Sequence, residues 1–159
     1  MEQTPEAAAF TNLILEVFRL NGELLSEGDR LTKPEGLTSA RWQVLGAIEI
    51  AGHTLTVPQI SRRIGSSRQA VQRIVNDLER LGFVATKTNP DHVRAKLIEP
   101  TTTGNQALKS IRIKQLEWSN DLVSGMNTDR LNKAVKVLKE LLSRCEKSKF
   151  DKSKPTVTN

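Results

Sequence analysis

The sequence lacks most of the residues from which metal and redox sites are built. Its 159 residues include one cysteine, two histidines and no tyrosine, and aromatic residues make up 4%. The two histidines, His53 and His92, have no adjacent cysteine and no pair of carboxylates at the spacing of metal ligands. We therefore expect no metal site and no cofactor within one chain.

Signatures of catalysis and of membrane insertion are also missing. The chain has no glycine-rich loop of the kind that cradles phosphates and no serine in a Gly-x-Ser-x-Gly turn. It has no run of about 18 apolar residues, and its first residues lack a basic start followed by an apolar stretch. These absences predict a soluble, cytoplasmic protein that is not an enzyme.

One segment, GSSRQAVQRIVNDLERLGFV at residues 65–84, has the pattern of a helix with two faces of opposite character. Its apolar residues share one stripe about 120° wide and are Val71, Ile74, Val75, Leu78 and Leu81. Its opposite face carries long amide and guanidinium side chains, namely Gln69, Gln72, Arg73 and Asn76. Arg68 lies at the flank of this face. The stripe predicts packing on a core, and the polar face needs another explanation.

The residue types on this polar face suit DNA. Glutamine, asparagine and arginine have paired donors and acceptors that match the edges of adenine and guanine in the major groove, which is wide enough to admit a helix. A solvated helix face more often carries Glu and Lys in i,i+4 pairs, which this face lacks in its first two turns. An exposed polar face without a partner is the alternative interpretation.

The segment before this helix favours DNA binding. In LTVPQISRRIG, residues 55–65, Thr56 and Gln59 have the spacing of a capping box, and the final glycine suits a left-handed helix end. Ser66 and Gln69 repeat the same spacing at once, so a turn of about three residues joins two helices. This predicts a helix-turn-helix whose second helix is the recognition helix.

The segment after it, residues 82–101, predicts a hairpin, or wing. A glycine ends the helix, an extended run begins at Phe83, and Asn-Pro-Asp at residues 89–91 signals a turn before a second extended run. Arg94 and Lys96 fall near the tip or on the returning strand, where they can reach a phosphate or the minor groove. A solvated hairpin tip is the alternative for these two charges.

The net charge of +6 is concentrated in the same region. Residues 61–96 hold eight Lys and Arg against three Asp and Glu, a net charge of +5. Clustered positive charge favours a polyanion, because neutralised phosphates release condensed counterions.

Long amphipathic helices are predicted at both ends of the chain. The first follows Thr4 as a cap, and its apolar positions are Phe10, Leu13, Ile14, Val17, Leu20, Leu24 and Leu25. The last has apolar positions at Leu131, Ala134, Val135, Leu138, Leu141, Leu142 and Cys145. A further helix over about residues 103–124 carries Leu108, Ile111, Trp118 and Leu122. A winged-helix core covers its own helices, so these three either pack into one bundle or bury against another chain.

The remaining segments complete a division of the chain into four parts. Residues 26–36 read as a polar loop, which ends an N-terminal part at 1–36. The winged helix-turn-helix domain is predicted at 37–101, and C-terminal helices at 102–146. Residues 147–159 contain few apolar groups and predict a disordered tail.

In their order and spacing, these motifs resemble the MarR family of winged helix-turn-helix transcriptional regulators. The similarity runs from LTSARWQVL at 37–45 through the LGFV exit at 81–84 to TTTG at 101–104, and it covers about residues 10–145. The resemblance implies a mainly α fold with a small β wing, in which the terminal helices of two chains interlock into a homodimer. It also implies a sequence-specific repressor of a pseudo-palindromic operator in double-stranded DNA, released by a small-molecule effector.

The chain departs from the family pattern in the wing. Asp91 stands three residues before Arg94, where the family has a spacing of two, which puts the supporting Asp-Arg contact in doubt. Pro100 stands where the family has a leucine, so we expect the second wing strand to end early, since proline cannot donate to the ladder.

The resemblance and the residue types together give candidate sites. The predicted DNA-binding residues are Ser66, Ser67, Arg68, Gln69, Gln72, Arg73, Asn76, Arg94 and Lys96. Members of the family bind small molecules between the dimer helices and the winged domain. The residues that fit such a crevice here, or else serve as ordinary core residues, are Phe18, Arg41, Trp42 and Trp118.

Cys145 falls on the apolar stripe of the last helix, where we expect a packed thiol rather than an oxidant sensor. The peroxide-sensing branch of the family has a cysteine near its first helix with tyrosine partners, and this chain has neither. Two other functions stay open at this point: a winged-helix module that binds an acidic protein, and a small-molecule-binding protein without a role on DNA.

Overall fold

The computed structural model describes residues 2–92 and 94–152, with side chains up to residue 148. In chain order its elements are α1 (Pro5–Thr32), a single 3₁₀ turn (Lys33–Glu35), α2 (Ser39–Ala51), α3 (Val57–Ile64), α4 (Arg68–Arg80), β1 (Val84–Lys87), β2 (Leu97–Pro100), α5 (Thr102–Leu122) and α6 (Thr128–Lys152). The chain forms two compact units, one up to Glu117 and one from Trp118 onwards. The predicted fold class, mainly helical with a small wing, is confirmed.

The helix-turn-helix consists of α3 and α4, joined by the three residues 65–67 as predicted. Gln59 accepts a hydrogen bond from the backbone amide of Thr56 through Oε1 at 2.7 Å, which is half of the predicted capping box. Gly65 has a φ of 67°, so it ends α3 in the left-handed region that glycine adopts at low cost.

The predicted cap of α4 is wrong by one residue. Ser67, and not Ser66, accepts a hydrogen bond from the backbone amide of Ala70, at 3.1 Å. The amide of Ser66 instead donates to the carbonyl of Ser61 at 3.1 Å, so Ser66 belongs to the turn that ends α3. Adjacent serines carry the same sequence signal, and their different hydrogen bonds at the two helix ends separate their roles.

The wing is an antiparallel pair of strands in which Val84 lies opposite Pro100. Ile98 also exchanges two backbone hydrogen bonds with Leu55, at 2.8 and 3.2 Å, which ties the wing to the segment before α3. The wing is therefore joined to both ends of the helix-turn-helix.

Pro100 does not shorten the second wing strand, contrary to our prediction. It is the last residue of β2, and the next ladder bond is donated by Thr101 to the carbonyl of Phe83 at 3.0 Å. Because the pair Val84–Pro100 occupies a non-hydrogen-bonded position, the missing N–H of proline removes no bond from the ladder.

The core of the first unit gathers apolar residues from every element of the winged helix. Its largest fully buried hydrophobic side chains include Leu45, Leu55, Ile60, Leu78, Ile98 and Ile111. The predicted stripe of α4 is confirmed at Val71, Val75 and Leu78, which are buried. Leu81 is the exception, with 41% of its surface exposed, because it stands at the C-cap where the helix has ended.

Gly104 lies in the first turn of α5 against the end of β1. Its amide donates to Thr101 Oγ1 at 3.1 Å, and a Cβ at this position would overlap the carbonyl oxygen of Phe83. Gly104→Ala should therefore lower the free energy of unfolding by about 1–3 kcal/mol, although alanine is the better helix former. Urea unfolding followed by circular dichroism measures this difference.

Gly46 supplies the matched control, because it lies inside α2, where an added Cβ would meet no side chain and no other element within 4 Å. Gly46→Ala should leave stability unchanged or raise it by about 0.5–1 kcal/mol. Equal destabilisation by the two substitutions would contradict the close approach of α5 and Phe83.

The predicted polar loop at residues 26–36 is wrong, because α1 continues to Thr32 and the 3₁₀ turn follows. Asp29 Oδ1 accepts a hydrogen bond from the backbone amide of Ser39 at 2.6 Å. A side chain near the end of α1 thus pairs with one of the backbone N–H groups that have no partner within α2. Gly28 is buried, and a Cβ there would lie 2.5 Å from Ser39 Oγ. The small and acidic residues that suggested a loop thus fasten one helix to the next.

The 3₁₀ turn is fastened to α5 through Glu35. Its Oε1 accepts hydrogen bonds from Ser110 Oγ at 2.6 Å and from Lys114 Nζ at 3.0 Å. These bonds, from Ser110 first and then Lys114, hold the pKa of Glu35 below its usual range. The chain between α1 and α2 is therefore ordered by side chains rather than left as a free loop.

In the second unit, α6 runs to Lys152, so the predicted disordered tail is wrong for residues 147–152. This stretch has no glycine or proline, and its lysines are good helix formers that suit the negative end of a helix. The rest of that predicted tail, 153–159, lies outside the described residues.

The apolar stripe of α6 is largely exposed in the single chain. Val135, Leu138 and Leu142 have 46%, 45% and 62% of their surface exposed. Cys145 belongs to the same stripe and is exposed as well, contrary to our prediction of a packed thiol.

None of the helices in the described ranges is long and apolar enough to cross a membrane.

Candidate nucleic-acid interface

The polar face of α4 lies at the surface of the first unit. All five of its predicted side chains are exposed: Arg68, Gln69, Gln72, Arg73 and Asn76. Val71 and Val75, on the other side of the helix, are buried. The helical period in the sequence therefore divides α4 correctly into a buried side and an accessible side.

Two of these side chains are joined to each other. Gln72 Nε2 donates to Asn76 Oδ1 at 2.8 Å, one helical turn further along. This bond leaves Gln72 Oε1 as an acceptor and Asn76 Nδ2 as a donor for other partners. An acceptor beside a donor matches the N6 and N7 positions of adenine in the major groove.

A groove of about 460 Å³ separates α4 from the wing. Its polar lining comprises Arg68, Gln72, Asn76, Glu79, Thr86, Arg94 and Lys96. Val75 and Ile98 contribute to its apolar lining. The structure thus brings three predicted residues of α4 together with both predicted cations of the wing.

The start of α4 has the features of an anion-binding helix end. Ser66 and Ser67 are both exposed, and Ser67 Oγ accepts from the amide of Ala70 while its hydroxyl proton stays available as a donor. The partial positive charge at a helix N-terminus favours a phosphate at this position.

The positive charges of this surface are not neutralised by the chain. Within the described ranges, none of Arg68, Arg73, Arg94 and Lys96 forms an ion pair. Thr86 Oγ1 donates to Glu79 Oε1 at 2.7 Å. Glu99 pairs with Lys87 at 2.6 Å. The carboxylates of Glu79 and Glu99 are thus bonded to other residues, and the four cations are available to an anionic partner.

Asp77, which follows Asn76, is the acidic residue closest in sequence to the polar face. It pairs with Arg41 of α2 at 3.2 Å and with Arg80 of α4 at 3.1 Å. Hydrogen bonds from Arg80 and then Arg41 hold the pKa of Asp77 below its usual range. The sequence reasoning missed this pair, since 36 residues separate Asp77 from Arg41 and no local pattern links them.

The tip of the wing forms without the Asp-Arg contact typical of the family. Asn89 is buried, and its Oδ1 accepts from the backbone amide of Asp91 at 3.0 Å, which shapes the turn. No ion pair joins Asp91 and Arg94 in the part of the chain that the structure describes. Arg94 is exposed and free to reach outwards.

The four residues predicted for a ligand crevice are distributed differently. Trp42 packs against the core and borders a second groove, of about 450 Å³, together with Ile50, Arg63 and residues of α2 and α5. Neither Arg41 nor Phe18 lines this groove: Arg41 pairs with Asp77, and Phe18 is 68% exposed. Trp118 begins the second unit. Within the first unit, only Trp42 of the four borders this groove.

A helix-turn-helix with an exposed, cationic second helix and an antiparallel wing defines the class of winged-helix DNA-binding proteins. Residues 35–95 match the MarR family. The chain is 35% identical to an uncharacterised protein of Mycobacterium tuberculosis over 130 residues, which cover 82% of this chain and 90% of that protein.

Two further comparisons agree. The transcriptional repressor MprA of Escherichia coli is 23% identical over 133 residues, 83% of this chain and 76% of the repressor. The crystal structure of the M. tuberculosis regulator MosR in complex with DNA is similar in fold, with a TM-score of 0.70 and 22% identity over 83% of this chain and 96% of MosR.

The family match of residues 35–95 and the similar solved structures agree with the resemblance found in the sequence. The chain has the winged-helix fold of the MarR-family transcription regulators to whose structures it is similar.

Proposed function

We propose that this protein is a homodimeric repressor that reads a pseudo-palindromic DNA duplex with α4 of each chain. The observation that carries the proposal is the exposed face of amides and guanidinium groups on α4, beside cations that have no ion pair among the described residues. A surface with unpaired positive charge and outward hydrogen-bonding groups suits a polyanion whose groove edges carry donors and acceptors.

Base reading is assigned to the centre of the polar face. Gln69, Gln72, Arg73 and Asn76 face the base edges, and Arg68 stands at the flank of the groove between α4 and the wing. The bond between Gln72 and Asn76 restricts both amides before DNA arrives, which reduces the entropy lost on binding.

Phosphate binding is assigned to the edges of the same surface. Ser66 and Ser67, with the amides at the start of α4, hold one phosphate through the positive end of the helix. Arg94 and Lys96 contact the backbone or the minor groove from the wing. These contacts fix the register of α4 in the major groove without reading sequence.

Dimerisation is proposed because both long terminal helices expose apolar residues. On α1 these include Phe10, Leu15, Phe18, Leu20 and Leu24. On α6 they include Val135, Val137, Leu138 and Leu142. A second copy of the chain covers such stripes, and its two-fold symmetry places two recognition helices about 34–36 Å apart, one turn of DNA.

We also propose that a small molecule relieves repression by this protein. The relative MprA is a transcriptional repressor, and the groove beside Trp42 has a volume in the range of small-molecule sites. The ligand binds more tightly to a form in which the spacing of the two recognition helices no longer matches the two DNA half-sites. Ligand binding raises the population of that form, so less of the protein is bound to DNA.

Arg73→Ala should weaken binding to the cognate duplex by about 1–3 kcal/mol, roughly 5- to 150-fold, because it removes a bidentate base contact. Fluorescence anisotropy with a labelled duplex measures the loss. Unchanged affinity would remove Arg73 from the contact set.

Arg112→Ala is the matched control, since Arg112 is an exposed arginine of α5 outside the proposed interface. It removes the same charge and should leave affinity unchanged. Affinity of the unsubstituted chain should also fall steeply with salt. A log-log salt slope near zero would instead favour an acidic protein as the partner.

A further inference from the structure

The carboxylate of Asp77 accepts hydrogen bonds from two arginines that lie on different helices. Arg41 Nη2 donates to Oδ2 at 3.2 Å, and Arg80 Nη2 donates to Oδ1 at 3.1 Å. Arg80 belongs to α4 itself, whereas Arg41 belongs to α2. Across the described ranges, the pair Arg41–Asp77 is the one ion pair that joins α4 to another helix.

Arg41 belongs to a helix start that is held by hydrogen bonds. It lies in the first turn of α2, where its own amide donates to the cap Thr38 at 3.4 Å and the amide of Ser39 donates to Asp29 at 2.6 Å. Leu45, on the next turn, is completely buried. The side chain of Arg41 is only 25% exposed, so its guanidinium group is confined near α4.

In the described ranges, α4 has two side-chain hydrogen-bonded links to other elements: Glu79 accepts from Thr86 of β1, and Asp77 accepts from Arg41 of α2. The buried contacts of α4 are made by Val71, Val75 and Leu78, and aliphatic packing is non-directional. A directional ion pair beside the buried stripe restrains rotation of α4 about its axis. Base contacts need donor and acceptor atoms within about 2.7–3.2 Å, whereas long side chains keep contact with phosphates over a wider range.

We infer that the pair Arg41–Asp77 sets the rotation of the recognition helix, so that both are positioning residues for sequence specificity and not for affinity towards DNA in general. The inference rests on the proposed reading of bases by α4. It assigns a role to Arg41 that differs from the ligand crevice in which the sequence placed it.

The test compares two arginines that share one carboxylate. Arg41→Met and Arg80→Met each remove one positive charge and one hydrogen bond from Asp77, but only the first removes the ion pair between α4 and α2. The dissociation constant is measured for a duplex selected from a random pool and for a scrambled duplex. Arg41→Met should lower the ratio of the two affinities by about three- to fivefold, and Arg80→Met should leave it unchanged.

Further variants separate positioning from charge and from loss of folding. Asp77→Asn, which is nearly isosteric, should lower the ratio as Arg41→Met does, and the double variant should lose no more than either single variant. The exchanged pair, Arg41→Asp with Asp77→Arg, should recover part of the ratio. Thermal unfolding of each variant identifies any that is not folded at the assay temperature.

Several results would overturn the inference. Equal effects of Arg41→Met and Arg80→Met would show that charge alone matters. An equal fall in affinity for both duplexes would show a general loss of structure. An unsubstituted chain that binds both duplexes equally would overturn the proposed function together with this inference, whereas discrimination that survives Arg41→Met overturns the inference alone.

Discussion

Leu138→Asp in α6 should convert the proposed homodimer into monomers and weaken binding to a palindromic duplex by about a hundredfold or more. Leu138 is 45% exposed in the single chain, so the substitution should be tolerated by the folded monomer. In the dimer, the new carboxylate would be buried without a partner, which costs several kcal/mol. A monomer reads one half-site and loses the gain of two linked contacts, which is about 10²–10⁴-fold.

Ser143→Asp is the control for this prediction. It adds the same charge to an exposed residue of α6 that lies off the apolar stripe. Sedimentation velocity gives the oligomeric state, and anisotropy gives the affinity for DNA. A Leu138→Asp chain that stays dimeric would exclude α6 from the interface, and a monomer with full affinity would show that pairing of chains is not needed for recognition.

Leu78→Ala should reduce the free energy of unfolding by about 2–5 kcal/mol. Leu78 is completely buried and belongs to the stripe by which α4 packs on the core. Its truncation leaves a cavity under the recognition helix that the surrounding aliphatic side chains fill only in part. Urea unfolding followed by circular dichroism should show a lower midpoint with a similar slope.

Leu81→Ala makes the same chemical change at the end of the same helix, where 41% of the leucine is exposed. It should cost about 1–2 kcal/mol, less than Leu78→Ala, because the removed atoms are only partly buried and leave no enclosed cavity. Similar losses of unfolding free energy at the two positions would mean that α4 is not anchored through the buried stripe. The inference that the pair Arg41–Asp77 sets the rotation of α4 would then lose its support.

Much of the winged helix was predictable because local signals and tertiary structure agree there. Gly65 and Thr56 mark the ends of α3 in the sequence and in the structure, and the hairpin follows α4 as predicted. Asp29 and Gly28 misled the prediction, because a small residue and an acid also suit a loop. Their contacts with Ser39, ten residues or more away in sequence, decide that α1 continues instead.

The candidate DNA-binding face was predictable for a similar reason. Helical period alone places Gln69, Gln72, Arg73 and Asn76 away from the core, and all four are exposed. The period carries no information on contacts between distant helices, so Arg41 was assigned to a crevice although its guanidinium group pairs with Asp77.

The most direct test is to select bound sequences from a pool of random duplexes with the full chain. The proposed function predicts enrichment of an inverted repeat whose half-site centres are about one helical turn, 34–36 Å, apart. Each half-site should present purine edges that amide and guanidinium groups can read. A pool with no enriched sequence, or one enriched in a single unrepeated motif, would contradict two-fold reading of DNA by α4.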